Sequence, residues 1–551
     1  MLIVKRNKRF GTILLVLMLA VVFLPVKVFA EPWDPYAQYL PSETPIVHRH
    51  LRGVWISTVI NLDWPSTDTR NLVDEGERIE KSKEELIAML DRAVEMNMNA
   101  VFFQVSPEGD ALYKSNIVPW SRYLTGTFGK DPGFDPLAFA IEEAHKRNLE
   151  LHAWLNPYRV SMNINPDTIK SLNIEKSVFK ENRQWVKTSM DRFVVDPGIP
   201  EAREWVIRRV MEVVNNYDVD GIHFDDYFYY EKFVGELKDQ DTFKQYNKGQ
   251  FSNIGDWRRN NTYLLVKELS HKIWETKSWV KFGISPAGVW GNKKDGHIDG
   301  SNTSAGLPNY DRCFADTKKW VEEELLDYIA PQVYFSFGNT RAPYGEIATW
   351  WADVCREKNV HLYMGQALYK VNEDSDAYFK GDNAVLEFAR QMRMNMLQPE
   401  IMGSILFRFK NLNNENKQQV VNAIKADYWS EKALVPIMPW KGGQAPEIPT
   451  AGNLEVLYGG VRLSWEDEDQ NTAYYTIYQI DKEEGAALDL SNLKLLDTLR
   501  KKEGAAQEYF ALQRPYSDDT LYLIKAVDRL HHESQGLIIG EKQLEEEAVE
   551  E

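Results

Sequence analysis

The chain has 551 residues, with 65 Lys and Arg against 82 Asp and Glu, and a formal net charge of −17 at pH 7. It is too long for one ordinary domain, and its 43% apolar content can bury a large core, which excludes global disorder. The acidic balance argues against nucleic-acid partners and against an anionic membrane surface, since both need a basic face. The 17 Trp, 26 Tyr and 24 Phe suit neutral polyhydroxylated ligands whose ring faces stack on aromatics, although most such rings are expected in the core.

The first thirty residues read as a secretory signal peptide. Lys5, Arg6, Lys8 and Arg9 form a basic start, residues 12–25 are apolar, and Val28-Phe29-Ala30 supplies small residues at the −3 and −1 positions. Cleavage after Ala30 would remove five positive charges and no acids, taking −17 to near −22. The apolar run is short for a spanning helix, so no stable membrane insertion is expected after cleavage. The expected location is secreted, extracellular or cell-wall associated. Cys313 and Cys355 are compatible with one bridge or with two separate buried thiols. No metal or other cofactor is expected: no C-x-x-C occurs, and His152 with His223 is a weak metal signal.

Eight apolar, β-branched runs then follow in order, at residues 51–59, 99–105, 149–157, 220–228, 280–287, 328–336, 361–368 and 403–409. Amphipathic helical stretches separate them, near 83–97, 135–148, 200–217, 256–277, 315–326, 346–358 and 383–395, and a last one near 414–426 closes the series. Nearly continuous apolar strands alternating with helices predict an α/β fold, a (β/α)8 TIM barrel. Helix-to-strand links are short. The strand-to-helix links at 60–82, 106–134, 158–199, 229–255 and 289–314 are long, so the extra chain lies on the C-terminal face, where barrel enzymes place their sites. Past Trp440 the texture changes. Residues 441–449 (KGGQAPEIP) read as a linker, and alternating runs at 460–465, 474–480 and 521–527 predict a small all-β sandwich that resembles a fibronectin type III module. The expected division is signal peptide 1–30, N-terminal extension 31–48, barrel 49–430, linker 431–446, sandwich 447–540 and acidic tail 541–551.

The richest strand end is Gly221-Ile-His-Phe-Asp-Asp-Tyr-Phe. Side chains alternate along a strand, so His223, Asp225 and Tyr227 share one face, predicted to be the lumen, while Phe224 and Asp226 share the other. Two adjacent acids in an apolar strand are costly to bury unless used or paired. Glycosyl transfer needs two carboxyl groups. Asp225 is the expected nucleophile or charge stabiliser, and Asp226, Asp316 and Glu108 are acid/base candidates in falling order. Asp316 could equally cap a helix, and Asp196 could merely start a turn. Asp110, Asn156, Arg159, Gln332 and Tyr334 are further polar groups at strand ends. Trp55, Trp64, Trp120, Trp154 and Trp290 are candidate sugar platforms; Trp55 and Trp154 lie within strands and read equally well as core, and Trp64, Trp120 and Trp290, on site-side loops, are the better candidates. No P-loop, dinucleotide fingerprint, zinc-protease helix or nucleophile elbow occurs.

Taken together, six motifs resemble the glycosyl-hydrolase-like family ten. They are LRGVWIST from Leu51, QVSPEGDALY from Gln104, PWSRYLTG from Pro119, HAWLNPYR from His152, DGIHFDDYF from Asp220 and DYIAPQVY from Asp327. The resemblance spans about residues 49–430. It implies a bacterial exported barrel hydrolase acting on a polysaccharide, with peptidoglycan glycan strands stripped of stem peptides as the implied substrate. It best supports Asp225 and Asp226, then Asp110, Asn156 and Gln332. The family pattern often carries Arg where this chain has Ser106. A non-catalytic carbohydrate- or wall-binding barrel is the competing expectation.

Overall fold

The computed structural model describes residues 34–42, 47–189, 191–226, 228–229, 237–481, 493–512 and 520–540. The expected signal peptide, Tyr227 and the acidic tail lie outside the described residues.

Eight parallel strands close into a barrel: β1 (Leu51–Ile56), β2 (Ala100–Ser106), β3 (Glu150–Leu155), β4 (Gly221–Phe224), β5 (Lys281–Ile284), β6 (Tyr328–Ile329), β7 (His361–Gln366) and β8 (Ile401–Leu406). All eight expected strands are present, because strands covered by helices on one face and packed inward on the other are apolar throughout. The helices α1 (Glu75–Glu95), α2 (Pro136–Lys146), α3 (Pro200–Asn216), α4 (Ile254–Thr276), α5 (Thr317–Glu322), α6 (Tyr344–Cys355), α7 (Gly381–Leu397) and α8 (Gln418–Ala423) follow the strands in turn. The first of these begins at Glu75, well before the expected residue 83. Its opening turns bury Arg78 and Ser82 rather than apolar residues, so no apolar period marks them, and Asp74 caps the start by accepting from the Glu77 N–H.

Rings fill the lumen, and glycines make room for them. A Cβ on Gly221 would fall 2.3 Å from the His152 ring, and one on Gly283 would fall 2.1 Å from the Tyr328 ring. The floor and middle of the barrel therefore hold Phe102, His152, His223 and Tyr328, whose rings meet across the lumen: Phe102 contacts both imidazoles, and His223 stacks on Tyr328.

Seven antiparallel strands follow among the described residues: β9 (Thr450–Leu457), β10 (Gly460–Glu466), β11 (Tyr474–Asp481), β12 (Lys494–Arg500), β13 (Ala506–Leu512), β14 (Thr520–Val527) and β15 (Leu537–Ile539). They form a three-stranded sheet, β9-β10-β13, and a four-stranded sheet, β12-β11-β14-β15. Both sheets contribute to one core, including Leu463 and Trp465 from the first and Tyr475, Ile477 and Ile524 from the second. Segment 431–446, expected as a linker, is pinned to the barrel floor. Leu434 exchanges backbone hydrogen bonds with His48 and His50, and the buried Lys441 ammonium lies 2.8 Å from Asp327. Cys313 and Cys355 are separate buried thiols.

Candidate functional site

The end of β4 carries the acids into the barrel mouth. Its register places His223 opposite Trp154 of β3 and Gly283 of β5. The expected parity holds for His223, whose ring meets Trp55, Tyr328 and Ser285 inside the barrel. Two residues further, the Asn156 amide donates to Asp225 Oδ2 at 2.5 Å. Asn156 is held in turn by Gln104 Nε2 at 2.7 Å, and the Gln104 carbonyl accepts from Ser57 Oγ and from the Thr58 and Val59 N–H groups. Asp225 is thus the end of a buried relay from the loop after β1.

Asp226, expected on the opposite face with Phe224, instead reaches the mouth as well: the strand ends at Phe224, so alternation no longer governs the residues after it, and the Asp226 carboxyl meets Gln332. Burial and the charge of Asp225 push its carboxyl up to about 7, against the opposing pull of a Gln332 hydrogen bond and the Arg159 charge. Gln332 is fixed by donating to the Ser285 carbonyl at 2.8 Å. Arg159 is set by a bridge to Val194, in the hairpin Val186–Ser189/Arg192–Val195 of the loop after β3, and donates to the Pro107 carbonyl. Two neighbouring carboxyls are therefore held differently, one by an amide donor and one by burial beside a like charge. Burial beside a like charge favours the protonated form of Asp226.

A second carboxyl pair lies in the loop after β2. Glu108 and Asp110 are almost fully buried, at 1% and 0% exposure. Asp110 accepts from the Glu108 N–H, Tyr123 donates to Glu108, and Arg122 lies 3.5 Å from it. Burial and the Asp110 charge push Glu108 up to about 7, while burial also raises Asp110. Arg159 acts on both Glu108 and Asp226, so its guanidinium links the two acidic groups electrostatically.

A model of the family described as glycosyl hydrolase-like 10 matches residues 50–380. The chain is 42% identical over 500 residues to "Glycosyl hydrolase YngK" of Bacillus subtilis (strain 168), covering 88% of this chain and 92% of that one. It is 45% identical over 397 residues to "Glycosyl hydrolase DigH" of Escherichia coli (strain K12), covering 71% of this chain and 90% of that one. This chain belongs to the glycosyl hydrolase-like 10 family.

A guanidinium reaches Ser106. Arg209 on α3 donates to Ser106 Oγ and to the carbonyls of Glu108 and Pro157. Trp290 is 8% exposed, donates to Asp316 at 2.9 Å and stacks on Trp350, while Asp316 caps α5 by accepting from the Lys319 N–H. The two hold each other, so Trp290 offers no free ring face as a platform and Asp316 is engaged as a cap. Trp64 is fully buried and donates to the Ser82 carbonyl of α1, which removes it as a platform. Trp120 is partly exposed on the loop that carries Glu108. Tyr334 packs against Tyr369 and Phe407 at the mouth. Asp196 starts its turn by accepting from the Gly198 N–H.

Two lumen residues escaped the sequence reading: Gln104 as the anchor of Asn156 and Ser285 as a partner of His223. The buried Trp154 N–H, one lumen position below Asn156, has no hydrogen-bond partner among the described residues. Strand parity could have found Gln104, because it shares the lumen face with Phe102.

Proposed function

We propose that this chain is an exported glycoside hydrolase that cleaves peptidoglycan glycan strands, with Asp225 as nucleophile or charge stabiliser and Asp226 as acid/base. The observation that carries this reading is the contrast at the β4 end, where Asp225 is bonded by Asn156 and Asp226 is pushed up to about 7. An acid with that value still holds its proton near neutral pH, when a leaving oxygen needs it. The names of the relatives and the long loops on the C-terminal face support the reading. So does the partly exposed Trp120, a ring on which a sugar could stack. In the same proposal residues 1–30 direct export, residues 49–430 form the catalytic barrel, and residues 447–540 form a fibronectin type III-like module whose three-and-four sheet arrangement suits that fold.

The test is release of reducing ends from peptidoglycan, with and without amidase pretreatment, followed by mass spectrometry of the products. Asp225→Asn is expected to abolish product release from the stripped strands. Undiminished release would refute the role of Asp225, and glycan binding with no product from the unaltered chain would favour a non-catalytic barrel.

A further inference from the structure

A chain of hydrogen bonds runs up the barrel axis, and its lowest member comes from the C-terminal domain. His531, in the loop between β14 and β15, places Nε2 2.7 Å from Glu150 Oε1 on the barrel floor, and Lys281 donates to the same oxygen. Glu150 Oε2 is 3.1 Å from His152 Nε2, and His152 Nδ1 is 2.9 Å from the Tyr328 hydroxyl. That hydroxyl is 3.1 Å from His223 Nδ1, and His223 Nε2 receives the Trp55 indole N–H at 3.0 Å. All seven residues are buried, none more than 8% exposed.

Two proton arrangements compete at the top of this column. An indole nitrogen can only donate, so accepting from Trp55 leaves His223 Nε2 bare with the proton on Nδ1, whereas donating to Ser285 Oγ, 2.9 Å away and itself within reach of the Phe224 carbonyl, would put the proton on Nε2. In the first arrangement Nδ1 donates to the Tyr328 oxygen, and Tyr328 passes its own proton to His152 Nδ1. His152 is left with a proton on Nε2, which points at Glu150. At the floor the Glu150 carboxylate accepts from His152, Lys281 and His531, and the Tyr474 hydroxyl supplies His531 Nδ1 at 3.0 Å. Burial pushes Glu150 up, but Lys281 and the two imidazole donors hold it well below the usual carboxylate range. Burial, then the His152 ring, holds His223 well below the usual imidazole range, which keeps it neutral.

We propose that the C-terminal domain is a working part of the barrel: by docking His531 on Glu150 it keeps that carboxylate an acceptor for His152 Nε2–H, which selects the first arrangement over the second, and so orients His223, two residues before Asp225. This rests on the hydrolase reading for its catalytic consequence. It makes His531 a positioning residue, acting from the far end of the barrel through groups that never touch substrate. His531 faces Glu150 and Lys281 from the floor, His361 from β7, Arg49 at the entry to β1 and Tyr474 from its own domain. The docking around it is ionic as well. Arg49 pairs with Glu533 at 2.7 Å, Arg529 with Asp218 at 2.7 Å, and Lys432 with Asp497 at 2.6 Å.

The test uses the full chain with nitrogen-15 labelled histidine, whose NMR shifts report which ring nitrogen carries the proton. Three variants are compared: His531→Leu, which removes the donor; His531→Gln, which retains an N–H; and Tyr474→Phe, a milder change that removes only the hydroxyl on His531 Nδ1. The unaltered chain is expected to show His223 with its proton on Nδ1 alone. In His531→Leu that single form should give way to a mixture. kcat on stripped glycan strands should fall by between about two- and thirty-fold, the range of couplings carried by such networks, with KM unchanged. His531→Gln should restore both readouts, and Tyr474→Phe should shift both partway. A mixed tautomer in the unaltered chain, or an unchanged His223 tautomer in the folded His531→Leu chain or, should that fail to fold, in Tyr474→Phe, would overturn the proposal. So would a kcat loss that merely tracks the folded fraction. Absence of product from the unaltered chain would instead refute the hydrolase reading, leaving the column to be judged on the tautomers alone.

Discussion

Replacing Asn156 isolates the relay that holds Asp225. Asn156→Ala removes the 2.5 Å donor to Asp225 Oδ2 and the acceptor of Gln104 Nε2. A hydrogen bond to a charged group is worth about 1.5–3 kcal/mol. If Asp225 carries charge in the transition state, that loss is roughly a 10- to 150-fold fall in kcat/KM. A separate cost falls on folding, because the buried Gln104 amide loses its acceptor, at about 1–3 kcal/mol. The Gln104 carbonyl keeps its three donors from Ser57, Thr58 and Val59, so the loop after β1 should stay in place. Asn156→Asp is the sharper companion. It replaces the donor with a carboxyl facing Asp225, and it should cost more activity than Asn156→Ala. The assay is initial-rate reducing-end release from amidase-stripped glycan strands below pH 7, with the folded fraction followed by circular dichroism. A folded Asn156→Ala chain whose kcat/KM stays within about threefold of the original would refute the argument.

Arg159→Gln should move the alkaline limb of the pH profile upward. The Arg159 charge lowers the Asp226 carboxyl from where burial and Asp225 would put it, so removing that charge raises a value already near 7. An acid catalyst is lost as pH rises through its pKa, so activity should persist to higher pH. A limb in the kcat/KM profile that stays put or moves down would contradict the placement of Arg159. Trp64 and Trp120 should part company. Trp64→Ala empties a fully buried site and should cost about 3–5 kcal/mol in denaturant unfolding with KM unchanged. Trp120→Ala should raise KM with little change in stability. The reverse pattern would place the sugar platform at Trp64.

The barrel was legible because its signal is local and repeated. Strands such as Ala100–Ser106 are buried at every position, and the long links fall on one side of the alternation. Parity also placed His223 and Asp225 in the lumen. What was not legible depends on how loops fold back. Trp64 and Trp290 lie on site-side loops in the sequence, yet one turns under α1 and the other stacks on Trp350. Asp316 carries the same residue type whether it caps a helix or donates a proton, and only its contact with Lys319 and Trp290 distinguishes the two. Glu108 is wrapped by Tyr123 and Arg122 from the same loop, a closure no spacing encodes. The pairing of His531 with Glu150 joins residues 381 positions apart, beyond any periodic signal.

The polar lumen ties these observations together. Barrel interiors are usually filled by branched aliphatic side chains, which need no partners. This one holds two imidazoles and a phenol hydroxyl on its axis, and each such group left unpaired in the interior would cost about 1–3 kcal/mol. The cost is avoided only if the column is closed at both ends. Trp55 closes the top, where it can only donate. The floor needs a carboxylate, and a buried carboxylate needs cations or donors around it. Lys281 and His152 supply two, and the third is His531 of the other domain. A barrel with aliphatic side chains at these positions could tolerate an appended module on a loose tether. With this lumen, separating the C-terminal strands from the barrel would strip Glu150 of a buried partner and open the lowest bond of the axis to water. The two domains therefore share one buried polar network, and the strap from Leu434 to Lys441 keeps them in the register that network requires.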